Sequence, residues 1–468
     1  MTSNGLDLRT PGRYHVVGVG GPGMSAIALV LAGMGHEVSG SDLRDVPVLE
    51  RLRAAGVVVE VGHRRDHVGG VDAVTGSTAI PAANVELDEA RRRGIPVLRR
   101  AGMLAAICAC ARTIAVAGTH GKTTTTSMLT MILTEAGLRP SFIVGGDVND
   151  VGTGAHWTDA EHLLVVEADE SDGTFLELPV DATIVTNVEV DHLDHYGTPE
   201  AIVAAFDAYL ANVAGPKVVC IDDPVAARLG AKHGAVTYGT DEEATFRLVD
   251  LAADHGAVTF TVAHDGERLG EVRLPLRGVH MARNATAAIA MAHLLGVPFE
   301  ASVAALARFG GVARRFDFRG DLDGITFVDD YAHLPTEIAA VLEGAATSGD
   351  GWQRIVAVFQ PNRYSRMEVL SSEYRDAFAR ADLAVITDIY PSGEAPRPGI
   401  TGKLVVNAIL DAHPWQRVAW IPRRGDLIEY LTGELRGGDV CISMGCGDVA
   451  SLPSEVLARL SERAAVGP

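Results

Sequence analysis

Apolar runs that stop abruptly on glycine or charged residues, then pass straight into helical patterns, recur along this chain. This repeat restricts the fold more than any other feature. "YHVVGVG" leads into "GMSAIALVLAGMG", "ARTIAVAGTHGK" into a threonine-rich helix start, and "ITFVDDYAHLPTEIAAVLEGA" reads strand, loop, helix. A short continuous apolar run marks a strand covered on both faces, and its alternation with helices marks parallel sheets with crossover helices. The reading is an α/β protein of three domains: an N-terminal Rossmann-like domain over 1–106, a central P-loop ATPase-type α/β domain over 107–312 and a C-terminal Rossmann-like domain over 313–468. Residues 235–275 break the rhythm. "AVTYGT", "TFRLVDL", "AVTFTVAHDGERL" and "EVRLPL" predict a small antiparallel sheet, with Asp-Gly as a hairpin turn.

Composition removes several functions. The chain has 468 residues, with 60 acidic against 40 basic side chains and a formal charge of −20. A nucleic-acid surface needs basic patches, so no nucleic-acid partner is expected. No apolar run approaches the about 18 residues of a membrane span, and "MTSNGLDLRT" lacks a signal core, so a cytoplasmic protein without membrane contact is expected. The five cysteines show no metal-type spacing, and Cys108 and Cys110 in "LAAICACA" read as buried thiols.

Two glycine-rich loops follow strands and open helices. In "GTHGKTTTT", Gly118 and Gly121 let backbone N–H groups turn toward an anion at the positive end of a helix. Thr119, His120 and Thr124 belong to the same loop, Lys122 is placed to reach the β- and γ-phosphates of a nucleotide, and the Thr123 hydroxyl to ligate Mg²⁺. A plain turn leaves four consecutive β-branched threonines at a helix start unexplained. The earlier loop, "GVGGPGMS", carries Gly18, Gly20 and Gly23 in the Gly-x-Gly-x-x-Gly pattern, with Asp42 after the next strand placed for a ribose hydroxyl. The pattern reads a pyrophosphate, so a dinucleotide such as NAD and a nucleotide-diphosphate sugar fit equally.

Charged clusters come after the later strands. "LLVVEADESDGTF" puts Glu167 at a strand end, where a Mg²⁺ ligand facing a phosphate loop is wanted, with Asp169, Glu170 and Asp172 beside it. "TNVEVDHLDHYGT" gathers Asn187, Asp191, His192, Asp194 and His195, of which His192 can hold a second Mg²⁺ or orient a carboxylate. Arg314, Arg315 and Arg319 lie in "RRFDFRG", Asp329, Asp330 and His333 in "DDYAHLPTEI", and Arg363 and Arg366 in "FQPNRYSR". Arginines so placed suit phosphate or carboxylate recognition.

Taken in order, these motifs with "HMARNATAAIA", "DIYPSGE" and "MGCGD" resemble the Mur ligases of peptidoglycan synthesis, over nearly the whole chain. The resemblance, strongest to the alanine-adding branch, implies a first domain for the UDP-sugar, a second for ATP and a third for the amino acid. It implies that ATP, with Mg²⁺, phosphorylates the lactyl carboxylate of UDP-N-acetylmuramate and that L-alanine attacks the acyl phosphate, in a monomer or homodimer. It places Gly18, Gly20, Gly21, Gly23, Met24, Ser25, Asp42 and Thr78 at the UDP-sugar, and the loop 118–124 with Asn284, Arg315 and Asp330 at ATP. It gives Thr123, Glu167 and His192 to the metals, and Lys122, His333, Arg363 and Arg366 to catalysis. Three positions depart from the family: Met281 replaces an asparagine, Leu334 replaces a second histidine, and "AIVAAFDAYLAN", with Asp207, lacks the lysine that several members carbamylate. The nearest rival is the wall-recycling ligase that adds a tripeptide to the same sugar. Folylpolyglutamate synthase lacks the first loop. An NAD-dependent dehydrogenase leaves Lys122, Thr123, Glu167 and His192 unemployed, and a nucleotide switch leaves the second loop unexplained.

Overall fold

The computed structural model describes residues 6–77, 80–160, 162–254 and 256–466. Their strands form three sheets. The first contains β1 (Arg13–Val17), β2 (Glu37–Asp42), β3 (Val58–Val61), β4 (Ala73–Gly76) and β5 (Val97–Arg99) in the order β3-β2-β1-β4-β5, every pairing parallel. The order reverses between β2–β1 and β1–β4, and the loop after β1 opens at that switch point, where doubly wound sheets bind ligands.

The second sheet contains β6 (Arg112–Ala117), β7 (Ser141–Val148), β8 (Thr153–His156), β9 (Leu163–Glu167), β10 (Ala182–Val185), β11 (Lys217–Cys220), β12 (Val236–Gly239), β13 (Phe246–Asp254), β14 (Ala257–His264) and β15 (Glu267–Leu274). Its order is β15-β14-β13-β12-β11-β10-β6-β9-β7-β8. β6 pairs in parallel with both β9 and β10, so the carboxyl ends of three neighbouring strands open on one side. The short strands after residue 235 extend this sheet through the parallel pair β12–β13. Asp265 and Gly266, both at positive φ (51° and 83°), turn the chain between β14 and β15, which suits the Asp-Gly pair.

The third sheet contains β16 (Asp317–Leu322), β17 (Ile325–Asp330), β18 (Arg354–Phe359), β19 (Leu383–Ile386), β20 (Val418–Trp420) and β21 (Asp439–Met444), ordered β16-β17-β21-β18-β19-β20. β16 and β17 are an antiparallel hairpin, and the other pairings are parallel. Pro335 opens the helix Pro335–Ala346 after β17, where a missing N–H costs nothing.

The chain divides into two compact units. One runs to Asp250 and takes in Phe260–Arg273 and Arg283–Gly310; the other takes in Leu251–Thr259, Leu274–Ala282 and the chain from Gly311. Inside the first unit a single apolar cluster joins Ile27 and Leu31 of the helix Pro22–Gly33 to Trp157, Val166, Phe206 and Tyr209. The first sheet's opening helix and the second sheet therefore share one core. A side chain at Gly33 would come within 3.0 Å of the Trp157 Cβ, so this glycine permits the close packing. The second unit covers both faces of its sheet, with Ile338, Phe359 and Val405 in one cluster and Val356, Leu427 and Val456 in another. No helix among the described residues is long and apolar enough to cross a membrane.

The five cysteines are free thiols. Burial pushes Cys108 and Cys441 up to about 12 and raises Cys220 as well, whereas Cys110 is only half-buried. A thiol so buried is inert. Cys108, Cys220 and Cys441 are therefore predicted to stay silent to a disulfide reagent at pH 8 in the native protein, with five thiols titrating after denaturation. Rapid native reaction of any of the three would contradict this packing.

Candidate active site

The loop after β6 is fixed by two glycines and by the segment after β10. Gly118 (φ 130°) leaves room for the Thr186 hydroxyl, which would lie 2.1 Å from an added Cβ, and Gly121 (φ 79°) is left-handed at the cap of the helix Lys122–Glu135. The His120 N–H donates to Asn187 Oδ1 (2.8 Å), and the Asn187 amide donates back to the His120 carbonyl (3.1 Å). Thr119 Oγ1 accepts from Glu189 N (2.9 Å). Asn284 lies against Gly121, its Oδ1 2.7 Å from where a Cβ would stand. No side chain caps this helix, which leaves its first N–H groups available to an anion.

The threonine run divides by task. Thr126, Thr130 and Thr134 each donate to the carbonyl four residues back at 2.8 Å, the usual way a β-branched hydroxyl is settled inside a helix. Thr123 and Thr124 are buried in the first turn, and neither hydroxyl is hydrogen-bonded to a described residue. That leaves the Thr123 oxygen to a ligand.

Lys122 sits at the centre of the charge. Its ammonium donates to the carbonyls of Gly118 (2.6 Å) and Thr119 (3.1 Å) and pairs with Glu170 (2.8 Å). Burial works against its charge, but Glu170, Asp169 and Glu167 together raise its pKa. Burial lifts Glu170 above the ordinary carboxylate range, against the pull of Lys122. Asp169 is only partly buried, and Lys122 and Arg100 hold it down at about 2. His192, at φ 53°, turns its Nε2 to Asp191 Oδ2 (3.1 Å) and toward Glu170 Oε1 (3.8 Å). Glu167, assigned to a metal on sequence grounds, accepts from the Gly145 N–H (2.7 Å). Glu170 is thus the carboxylate between Lys122 and His192. Its neighbourhood to Glu167 was visible in the sequence, but its direction was not.

Arg100 was missed entirely. It donates to Asp169 Oδ2 (3.0 Å) and Asp172 (3.3 Å), and it lies 3.2 Å from where a Cβ on Gly23 would stand. It therefore joins the first glycine-rich loop to the acidic turn that Lys122 meets, and the only sequence signal is an arginine just past an apolar strand. His195 lies near Gly173 on the acidic turn, and Asp207 is spent on Lys232 (2.6 Å) and His233 (2.7 Å).

In the first loop Gly18 has φ 76°, and Asp42 Oδ2 accepts from the Gly20 N–H at 3.0 Å. Gly21 caps the helix Pro22–Gly33 with no side-chain partner, which leaves the Gly23 N–H available. Met24 is buried in the shared core, and Ser25 donates to the Pro22 carbonyl (2.9 Å), so both build the loop from behind. Thr78 lies outside the described residues.

The second unit arranges its own residues around Tyr331. The guanidinium groups of Arg314 and Arg315 stack on its ring at 5.0 and 5.2 Å. Arg314 also pairs with Asp329 (2.9 Å). Asp330 is buried and accepts from the Phe316 and Ala332 N–H groups, both at 2.7 Å; burial raises it to about 6 although Arg315 opposes this. His333 Nδ1 is 3.1 Å from the Tyr331 carbonyl and 3.3 Å from Glu337. Leu334 and Met281 are both buried apolar residues. Arg363 adopts φ 61° at the start of the helix Tyr364–Leu370, and Arg366 donates to Asn362 (3.0 Å).

Three family models match in sequence: the Mur ligase family catalytic domain over residues 13–112, the Mur ligase middle domain over 116–292 and the Mur ligase glutamate ligase domain over 314–447. The chain belongs to the Mur ligase family. Among relatives of this Mur ligase, the UDP-N-acetylmuramate–L-alanine ligase of Acidothermus cellulolyticus is 46% identical over 466 residues, covering 98% of this chain and 97% of its own. The UDP-N-acetylmuramate–alanine ligase of Thermotoga maritima superposes with a TM-score of 0.81 at 28% identity, covering 96% of this chain and 99% of that one. A murein peptide ligase of Psychrobacter arcticus superposes at 0.68 with 25% identity, covering 97% and 99%.

Gly121→Ala combines a left-handed backbone with a contact on Asn284. A residue forced into this conformation costs about 1–3 kcal/mol. The variant is predicted to bind ADP roughly 10-fold more weakly by calorimetry, with an unchanged circular dichroism spectrum. Unchanged affinity would separate the loop from the nucleotide.

Proposed function

We propose that this Mur ligase is a UDP-N-acetylmuramate–L-alanine ligase, coupling ATP cleavage to an amide bond on the lactyl carboxylate of the sugar. The observation that carries the reading is the meeting of the loop 118–123, Glu170 and His192 at the carboxyl ends of three adjacent strands, with Arg100 reaching from the acidic turn to Gly23 of the first glycine-rich loop. Full-length likeness to an alanine ligase supports the choice of acceptor, and the lower superposition on the murein peptide ligase counts against a tripeptide.

A carboxylate is a poor electrophile until it carries a leaving group. Transfer of the γ-phosphoryl group of ATP supplies one; the alanine amine then attacks the acyl carbon, and phosphate departs. Lys122, charged because three carboxylates face it, neutralises the negative charge on the transferring group. The N–H groups of Gly121 and of the first helical turn, with Thr119, His120 and Thr124 shaping the cradle, hold the phosphates. Asn284 supports Gly121 and the nucleotide beside it. Gly18, Gly20, Gly21 and Gly23 shape the loop that receives the UDP pyrophosphate at the start of the helix Pro22–Gly33, where the Gly23 N–H is available, and Asp42 fixes that loop by accepting from the Gly20 N–H. From the second unit, Arg315 and Asp330 serve ATP, Arg363 and Arg366 the substrate anion, and His333 the reacting groups.

The oxygen-rich donor set of Thr123, Glu167 and Glu170, with His192, fits Mg²⁺, which prefers hard oxygen ligands. Bound there, Mg²⁺ would offset phosphate charge. The domain limits assigned with this function are 1–106, 107–312 and 313–468, and its nucleotide substrates make the cytoplasm its place of action.

Phosphate release with Mg²⁺, ATP and UDP-N-acetylmuramate is predicted to be fast with L-alanine and slow with the wall tripeptide or with no acceptor. Release only with the tripeptide would move the enzyme to wall recycling. Lys122→Ala is predicted to lower turnover on the order of 10²-fold or more. Near-normal turnover would remove Lys122 from the chemistry.

A further inference from the structure

A second cluster of ligating side chains lies behind the first loop. His15 on β1, His67 in the short 3-10 helix Arg65–Val68 and Glu86 in the first turn of the helix Val85–Arg92 converge, one ligand atom of each lying within 4.8 Å of the others. Their side chains are 1%, 6% and 0% exposed. Glu86 Oε1 lies 2.6 Å from His67 Nδ1 and 3.6 Å from His15 Nε2. The Nε2 atoms of both histidines are buried without a hydrogen-bond partner. A buried imidazole nitrogen left unsatisfied is costly, and two such atoms in one cluster, that of His15 aimed at Glu86, indicate a group that the polypeptide does not supply.

The surroundings are those of a metal centre. Ser39 Oγ contacts His15 Nδ1 at 2.8 Å and so fixes the ring with Nε2 turned toward Glu86. Ser41 Oγ (2.6 Å) and His63 Nδ1 (3.0 Å) occupy Glu86 Oε2, and Oε1, which accepts from the Arg64 N–H (3.2 Å), faces His15 and His67. Ligating histidines and carboxylates are held by outer partners in this manner. Two imidazoles and one carboxylate match zinc-type preferences, with a fourth position for water, whereas Mg²⁺ favours oxygen alone.

We propose that His15, His67 and Glu86 bind one zinc-like transition-metal dication in a structural site that ties β1, the 3-10 helix and the helix Val85–Arg92 together. The site is separate from the phosphate loop. Its partner Ser41 immediately precedes Asp42, which holds Gly20, so the ion stiffens the floor of the UDP-sugar loop.

The test is Co²⁺ titration of the full-length, chelator-stripped protein in millimolar Mg²⁺, read by visible absorption, with Zn²⁺ retention measured by mass spectrometry after dialysis. One equivalent of Co²⁺ with a four-coordinate nitrogen–oxygen spectrum, displaced by Zn²⁺, is expected. His67→Gln, the most accessible of the three changes, and His15→Gln are each expected to lose it, while Thr123→Ala keeps it. No retained Zn²⁺ and no Co²⁺ spectrum in the wild-type protein would overturn the site. Binding that survives in both folded histidine variants, or that is lost in Thr123→Ala, would overturn the ligand assignment.

Discussion

Charge balance around one acidic turn governs the rest of the site. Glu167, Asp169, Glu170 and Asp172 occupy a turn too short to keep like charges apart, and Glu170 is almost fully buried. Lys122 and Arg100 reach it from opposite sides, Lys122 from the phosphate loop and Arg100 from the end of the first sheet. Unpaired carboxylates at such burial would be driven to protonate. The two cations keep Asp169 ionised and hold the turn beside the loop, where negative phosphate must also be received. The two cations thus offset half of the turn's formal negative charge before any ligand arrives, and hydrogen bonds from Lys122 to two loop carbonyls fix its ammonium in place.

The same contacts make two nucleotide-type loops parts of one body. Arg100 touches Gly23 as well as Asp169 and Asp172, and the helix that begins at Pro22 shares its apolar cluster with the second sheet through Trp157. A close-packed core does not deform continuously, so the separation of the two loops is set by packing rather than by a flexible tether. For a reaction that brings a sugar carboxylate to a terminal phosphate, this fixed spacing supplies orientation.

Features set by local chemistry were legible in the sequence. Positive φ at Gly18, Gly118 and Gly121, the Asp265–Gly266 turn and the helix starting at Pro335 are dictated by the residues themselves, and all three sheets arise from apolar runs. Less was legible where tertiary context decides. β7 and β8 form an antiparallel hairpin although "SFIVGGDV" and "TGAH" carry too many glycines to look like strands, and β16 is a largely polar edge strand. Which carboxylate of the acidic turn meets Lys122 depends on the turn's path, and Glu170 holds that position. Arg100 lies far from its partners in the chain, and no spacing rule connects them. Met24 sits in a nucleotide motif yet joins the core, because helical periodicity turns every third or fourth side chain inward.

The central claim is that the loop 118–123 serves to convert a carboxylate into an acyl phosphate. Labelling both lactyl carboxylate oxygens of UDP-N-acetylmuramate with ¹⁸O and analysing the inorganic phosphate released with ATP and L-alanine tests it directly. One ¹⁸O atom transferred to each phosphate is predicted, because the oxygen that attacks the γ-phosphorus leaves with it. Unlabelled phosphate formed at the rate of amide synthesis would mean that ATP is cleaved by water and that the carboxylate is activated in another way.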